Sequence, residues 1–222
     1  GLHVSAVQKD PKTYEHIDPE EVGNTRNIVV SDQAGKSNII SRLKTIGINI
    51  KENDPKIKKL LDEVKDREFI GYSYDGADAS FELLARRIMG EIPRYILIKE
   101  YDVSVKKNSV GSIVSSAKAH LEVDGEKIIC EGEGNGPVNA LDNAIRENVD
   151  RLAKYSVYLK DLKLVDYKVR ILNTGTEAIT RVSIESTDSK GKNWFTIGVS
   201  TNIIDASFKA LVDSLDYKLF KD

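Results

Sequence analysis

The densest group of residues that could bind a ligand is the stretch Glu-Gly-Glu-Gly-Asn-Gly-Pro at residues 131–137. Glycines at alternate positions permit positive φ angles and let a ligand approach the backbone closely. Pro137 is typical of the first residue of a helix, whose free N–H groups favour an anion such as a carboxylate. The stretch is compatible with a carboxylate-binding turn. A tight strand-to-helix connection without a ligand is the alternative that the local sequence favours.

Other kinds of chemical site find little support. The glycine spacing does not match G-x-G-x-x-G, and the preceding strand returns from a hairpin, so we exclude a dinucleotide fingerprint. The three histidines His3, His16 and His120 do not show metal-ligand spacing, so no metal site is predicted. Cys130 is the single cysteine and has no partner for an internal disulfide, which fits a reducing cytoplasm.

Composition narrows the class of protein further. The 33 basic and 35 acidic residues are interspersed, and this excludes the clustered positive charge of a nucleic-acid-binding surface. No apolar run approaches the roughly 20 residues of a membrane span, and the N-terminus does not resemble a signal peptide. We therefore expect a cytoplasmic protein without nucleic-acid or membrane partners. The chain starts at Gly1 rather than Met, which predicts that it is part of a longer protein.

From about residue 93 onward the chain contains an internal repeat with an offset of 66 residues. Aromatic, aliphatic and glycine positions recur in the same order, and so does the hydrophobic pattern between them. The matched positions are Tyr101, Val103 and Val105 with Tyr167, Val169 and Ile171, Gly125 and Gly132 with Gly191 and Gly198, and Ala140 and Ala144 with Ala206 and Ala210.

Each copy of the repeat predicts a βββα unit. The first strand changes parity midway, which indicates a bulge or a bend. A hairpin follows, through Asp124-Gly125 in copy one and through a longer turn containing Asp188 and Gly191 in copy two. Apolar residues at helical spacing end each copy. The predicted fold class is α+β, with each sheet covered by a helix on one face. The helical positions are Leu141, Ile145, Val149 and Leu152, then Ile204, Phe208, Leu211 and Leu215.

The region before the repeat has a different character. Residues 1–40 show little periodicity and predict loops and short helices. One helix is expected to start at Asn53-Asp54-Pro55, and a second is expected from about Ala77 to Met89, ending at Gly90. We expect these helices to pack against another chain or a missing domain. The predicted organisation is a first linker subdomain at 1–40, a helical one at 41–92, and a ligand-binding domain at 93–222 with units at about 93–158 and 159–222.

Several segments together resemble the 2-isopropylmalate synthase and citramalate synthase family, from just after its catalytic barrel to its end. The stretch at 67–84 is more similar to the long citramalate synthases than to the leucine-pathway enzymes. The segments that carry the resemblance are residues 1–7, 14–19, 22–24, 37–38, 134–137 with Ala140, and 198–207.

The resemblance implies an enzyme whose (β/α)₈ barrel is absent from this chain. That barrel would bind acetyl-CoA, a 2-oxo acid such as pyruvate, and a divalent metal (Mg²⁺, Mn²⁺ or Zn²⁺), and would condense the two substrates as an acyltransferase. His3 and Tyr14 match linker residues that act on the partner subunit's active site. This chain alone is expected to be inactive and to carry neither metal nor cofactor.

The resemblance also implies a homodimer that binds the end product of its pathway between two regulatory domains. The expected effector is isoleucine, with leucine as the alternative if the relationship is to 2-isopropylmalate synthase. A free-standing amino-acid-binding module is a third possibility, which His3 and Tyr14 disfavour. The matching effector-site positions are Gly134, Asn135, Gly136 and Val138 in copy one, and Leu164, Tyr167, Ile171 and Ile203 in copy two.

Overall fold

Three helices precede two βββα units in the computed structural model, which describes residues 35–172 and 178–222. The predicted α+β duplication is therefore confirmed. The leading helices are α1 (Lys36–Thr45), α2 (Pro55–Phe69) and α3 (Asp78–Met89). Unit one consists of β1 (Ile96–Lys107), β2 (Ile113–Val123), β3 (Glu126–Gly134) and α4 (Pro137–Glu147). After the short α5 (Ser156–Leu159), unit two consists of β4 (Lys163–Ile171), β5 (Thr180–Thr187), β6 (Asn193–Ser200) and α6 (Ile203–Lys221).

Each unit contains an antiparallel sheet whose strands follow chain order. The predicted bulges are confirmed, because the register of the first strand shifts after Ile98 in unit one and after Leu164 in unit two. The first hairpin turns at Asp124 (φ 52°) and Gly125 (φ 83°), as a two-residue turn with two positive φ angles requires. Local sequence rules thus determine the same strand geometry in both copies.

The inner faces of the two sheets share one hydrophobic core with α4 and α6. The contact between units is visible at Tyr101 of β1, whose ring packs edge-on against Phe208 of α6 with centroids 5.1 Å apart. Its hydroxyl also lies 3.4 Å from a carboxylate oxygen of Asp205. The first strand of unit one is therefore held by the helix of unit two.

The two helices predicted before the repeat are confirmed. Asp54 caps α2 by accepting the Lys56 N–H at 2.9 Å, and Pro55 is its first residue. Helix α3 ends at Gly90, which adopts the left-handed conformation at φ 77°. Helix α1 begins within residues 1–40, where short helices were predicted without bounds, and it runs across the expected subdomain boundary at residue 40.

The expectation that these helices need another chain or domain to cover them is wrong for α3. It packs within the chain against α6 and β6, where Ile197 joins the core of the three helices. The reason is a difference between the copies. Ile197 and Val199 make the outer face of the second sheet apolar, whereas the equivalent residues of the first sheet are Glu131 and Glu133, both exposed.

The predicted helix of unit one is shorter than expected. Helix α4 ends at Glu147, and Val149–Arg151 forms a separate 3₁₀ turn. Leu152 is still fully buried, so its apolar position reflects the core rather than a continuous helix. Helix α6, with 19 residues, is the longest described. Neither it nor any other helix in the described part of the chain is long and apolar enough to cross a membrane.

Candidate effector-binding site

The glycine-rich loop connects β3 to α4, but its glycines do not serve the predicted purpose. None of Gly132, Gly134 and Gly136 has a positive φ. The first two are needed because the helix lies against the strand: a Cβ on Gly132 would lie 2.3 Å from the Ala144 nitrogen, and one on Gly134 would lie 2.5 Å from Asn139 Oδ1. A Cβ on Gly136 would meet no atom within 4 Å. Of these three glycines, Gly136 is therefore the one with open space beside it.

The two copies differ at the residue that precedes the helix. In unit two, Asn202 caps α6, because its Oδ1 accepts the N–H groups of Ile204 at 2.8 Å and Asp205 at 3.4 Å. In unit one the equivalent residue is Gly136, which offers no side-chain cap to α4. The first N–H groups of a helix lack intrahelical acceptors. The N–H groups at the start of α4 are therefore free to donate to an anionic oxygen of a ligand. The equivalent N–H groups of α6 donate to Asn202 instead.

Hydrogen bonds fix the shape of the loop around this point. The Asn135 N–H donates to Asn139 Oδ1 at 3.2 Å, which occupies that side chain. Asn143 donates from Nδ2 to the Glu133 carbonyl at 2.7 Å and ties the end of β3 to α4. With both asparagines engaged, the backbone at the helix start is held in place before any ligand arrives.

The predicted residues of unit two form a second group. Leu164 and Tyr167 lie half-buried on β4, while Ile171 is 68% and Ile203 is 45% exposed. Ser207 connects two of the predicted positions, since its Oγ lies 2.7 Å from the Tyr167 hydroxyl and donates to the Ile203 carbonyl at 2.6 Å. The sequence analysis did not identify Ser207. Its position one turn after Ile203 on the same helix was the available signal.

The two groups belong to different units of the chain. Gly134, Gly136 and Val138 belong to unit one and the β4 residues to unit two, and no hydrogen bond of the described residues joins them. His3 and Tyr14 lie outside the described residues. Among residues 35–172 and 178–222, no group of three or more His, Cys, Asp or Glu side chains could hold a metal ion.

Cys130 does not contribute chemistry to this region. It lies on β3, is fully buried in the common core and is not bonded to another cysteine. Burial raises the pKa of its thiol, with a smaller opposing effect of Arg151. The reactive thiolate is therefore disfavoured, and the side chain acts as a small apolar residue.

Comparison with known proteins gives two family matches that divide the chain. Residues 1–69 match the homocitrate synthase post-HMGL domain-like family, and residues 75–219 match the LeuA allosteric (dimerisation) domain. The second match begins shortly before α3, so it includes the helix that packs on α6 as well as both βββα units.

Curated relatives cover the whole length of the chain. The (R)-citramalate synthases of Aquifex aeolicus and Geobacter sulfurreducens are 48% and 44% identical over 100% of it. That of Sulfolobus acidocaldarius is 40% identical over 99% of it. The chain spans 42% of the length of the first two relatives and 40% of the third. With its family model matched across more than half of its length, the chain belongs to the LeuA allosteric (dimerisation) domain family.

Proposed function

We propose that this chain is the effector-binding regulatory part of an (R)-citramalate synthase and that it binds isoleucine as a homodimer. The observation that carries the proposal is that α4 starts at Gly136 without a side-chain cap, whereas the equivalent helix of the other copy, α6, is capped by Asn202. The relatives named (R)-citramalate synthase support the proposed enzyme, and the matched allosteric (dimerisation) domain supports regulation by an effector in a dimer.

The proposed ligand chemistry follows from the two groups of residues. The carboxylate of an amino acid fits the free N–H groups at the start of α4, where the helix dipole also favours negative charge. An aliphatic side chain would fit the apolar surface of Leu164, Tyr167 and Ile171 of unit two, beside Ile203. Val138 of unit one would approach it from the other subunit. A branched aliphatic amino acid satisfies both, and isoleucine is the member of that class we assign to a citramalate synthase.

In this proposal a homodimer forms each site from unit one of one copy and unit two of the other. Exposed Ile171 and Ile203 on unit two would face the loop of unit one from a second copy. A two-fold contact between identical chains would then create two equivalent sites. Helix α3 does not contribute apolar surface to this argument, because it is already covered within the chain.

The reaction of the whole protein is also a proposal. It would condense acetyl-CoA with pyruvate in a barrel that holds a divalent metal, and His3 and Tyr14 would reach the partner's active site from the linker. The 222 residues of this chain are expected to bind the effector without performing the condensation.

Gly136→Asn tests the site with little disturbance of the fold. The new side chain has room, and it should cap α4 as Asn202 caps α6, so the carboxylate-binding N–H groups become occupied. In the unmodified chain, isoleucine at a hundredfold excess over Kd should add about 2.7 kcal/mol of stability, a rise in melting temperature of roughly 5–10 °C. The variant should lose that rise. A thermal-shift series with isoleucine is the measurement, and light scattering on the same samples identifies the responding species.

Asn202→Gly is the matched control, because it makes the opposite change at the equivalent position. It should cost only a few tenths of a kcal/mol and leave the isoleucine response intact. If Gly136→Asn responds as fully as the unmodified chain, the ligand does not bind at this helix start. A response carried by a monomer would refute the intersubunit site.

A further inference from the structure

A buried cluster of charges joins α3 to α6. Arg87 of α3 donates from Nη1 to Asp213 at 3.1 Å and from Nη2 to Asp216 at 2.5 Å, both on α6. Asp216 also accepts the N–H of Ile96, the first residue of β1, at 3.1 Å. The carboxylate of Asp213 accepts the Ser80 hydroxyl at 3.1 Å. Three elements from both sides of the expected boundary at residue 93 therefore meet at this cluster.

The charges in this cluster do not balance. Two carboxylates share one guanidinium, and the side chains of Asp216 and Arg87 are only 1% and 15% exposed. Asp213 is 22% exposed and borders, with Arg87, a cleft of about 900 Å³ that opens to solvent. Tyr95, in the segment before β1, also faces Asp216. The cations Arg67, Arg94 and Lys209 line the same cleft as Asp213, so the uncompensated charge is that of the buried Asp216. A buried excess of negative charge is costly, and binding a proton removes it.

We propose that Arg87, Asp213 and Asp216 form a proton-binding clasp, in which one proton taken up by the carboxylate pair tightens α3 on α6. The proton comes from solvent through the cleft and resides on Asp216, while Asp213 keeps its pairing with Arg87. The clasp is independent of the effector site, because none of its residues belongs to that site.

The direction of the pH effect follows from the environment of Asp216. Burial raises the pKa of this carboxyl to about 7, against the opposing effect of Arg87, and Asp213 adds to the rise. In the unfolded chain an aspartate titrates near 3.9. Because the folded form binds the proton more tightly, its stabilising contribution is complete below about pH 4, decreases as pH rises and is lost above about pH 7.

The test compares melting temperatures of the unmodified chain and Asp216→Asn at pH 5 and pH 7.5. The asparagine amide cannot ionise, and its single oxygen can accept from Arg87 or from Ile96 but not from both, a loss that is the same at the two pH values. We expect the melting temperature of the unmodified chain, relative to that of the variant, to be about 5 °C higher at pH 5 than at pH 7.5. A carboxyl ¹³C titration of the unmodified chain should place the Asp216 inflection near pH 7.

Asp150→Asn is the control, because Asp150 lies in an exposed pair with Lys160 and its side chain is 78% exposed. Its melting temperatures should follow those of the unmodified chain at both pH values. Parallel profiles for Asp216→Asn and the unmodified chain would overturn the clasp. If the Asp216 variant does not fold, the ¹³C titration decides alone, and an inflection at the ordinary aspartate value would overturn the proposal.

Discussion

Gly198→Ala is expected to destabilise the chain by about 3 kcal/mol or more, because β6 and α6 leave no room for a methyl group. A Cβ at Gly198 would lie 1.9 Å from the Ala206 carbonyl oxygen and 2.8 Å from the Ala210 nitrogen. Both are backbone atoms, so relief requires moving the helix away from the sheet. Urea unfolding monitored by circular dichroism measures the loss.

Gly136→Ser is the control for this prediction, since the space around Gly136 is open and serine is a favourable helix cap. It should change the free energy of unfolding by less than about 0.5 kcal/mol. A Gly198→Ala variant as stable as the unmodified chain would show that α6 does not lie against β6 as described.

Arg87→Met should cost about 3 kcal/mol at pH 7.5, because it leaves the buried Asp216 and the partly exposed Asp213 of α6 without their cation. The methionine fills most of the space, so the loss reports charge rather than a cavity. Adding Asp216→Asn to the same chain should recover part of the stability, since one of the unpaired charges is then removed. Urea unfolding of the two single variants and the double variant gives the coupling between the sites.

Lys154→Met provides the comparison, because Lys154 forms an exposed pair with Asp124, with side chains 68% and 46% exposed. Pairs of this kind contribute about 0–1 kcal/mol. A loss from Arg87→Met no larger than that from Lys154→Met would mean that the cluster between α3 and α6 is solvated and does not hold the two helices together.

Much of the fold followed from the sequence because the decisive signals were local and occurred twice. The parity change near Ile98 recurs near Leu164, and both produce a register shift. Asp124-Gly125 is a strong hairpin signal on its own. Two copies of the same pattern gave independent support for each βββα unit, which a single copy would not have provided.

Other features depended on tertiary contacts that periodicity does not reveal. Helix α3 is buried on nearly all sides because the second sheet offers Ile197 and Val199, while the first offers glutamates. The contrast was present in the sequence, but only a comparison of the two copies residue by residue would have shown it.

The candidate site was only partly predictable, because the roles of its glycines also depend on tertiary contacts. The glycines of the loop suggested backbone flexibility, yet Gly132 and Gly134 are small because a helix lies against them. The difference between Gly136 and Asn202 was visible in the sequence. Only the hydrogen bonds in the structure showed that Asn202 caps α6 and that Gly136 leaves α4 without a side-chain cap. The charged pairing of Arg87 with α6 joins residues more than 120 positions apart and has no local signal.

Calorimetric titration of this chain with isoleucine tests the central claim most directly. The account predicts saturable binding with one isoleucine per chain, and weaker binding of leucine and valine to the same site. Tighter binding of leucine than of isoleucine would contradict the assignment to a citramalate synthase. Absence of binding by all three amino acids at millimolar concentration would contradict an aliphatic amino-acid effector site in this domain.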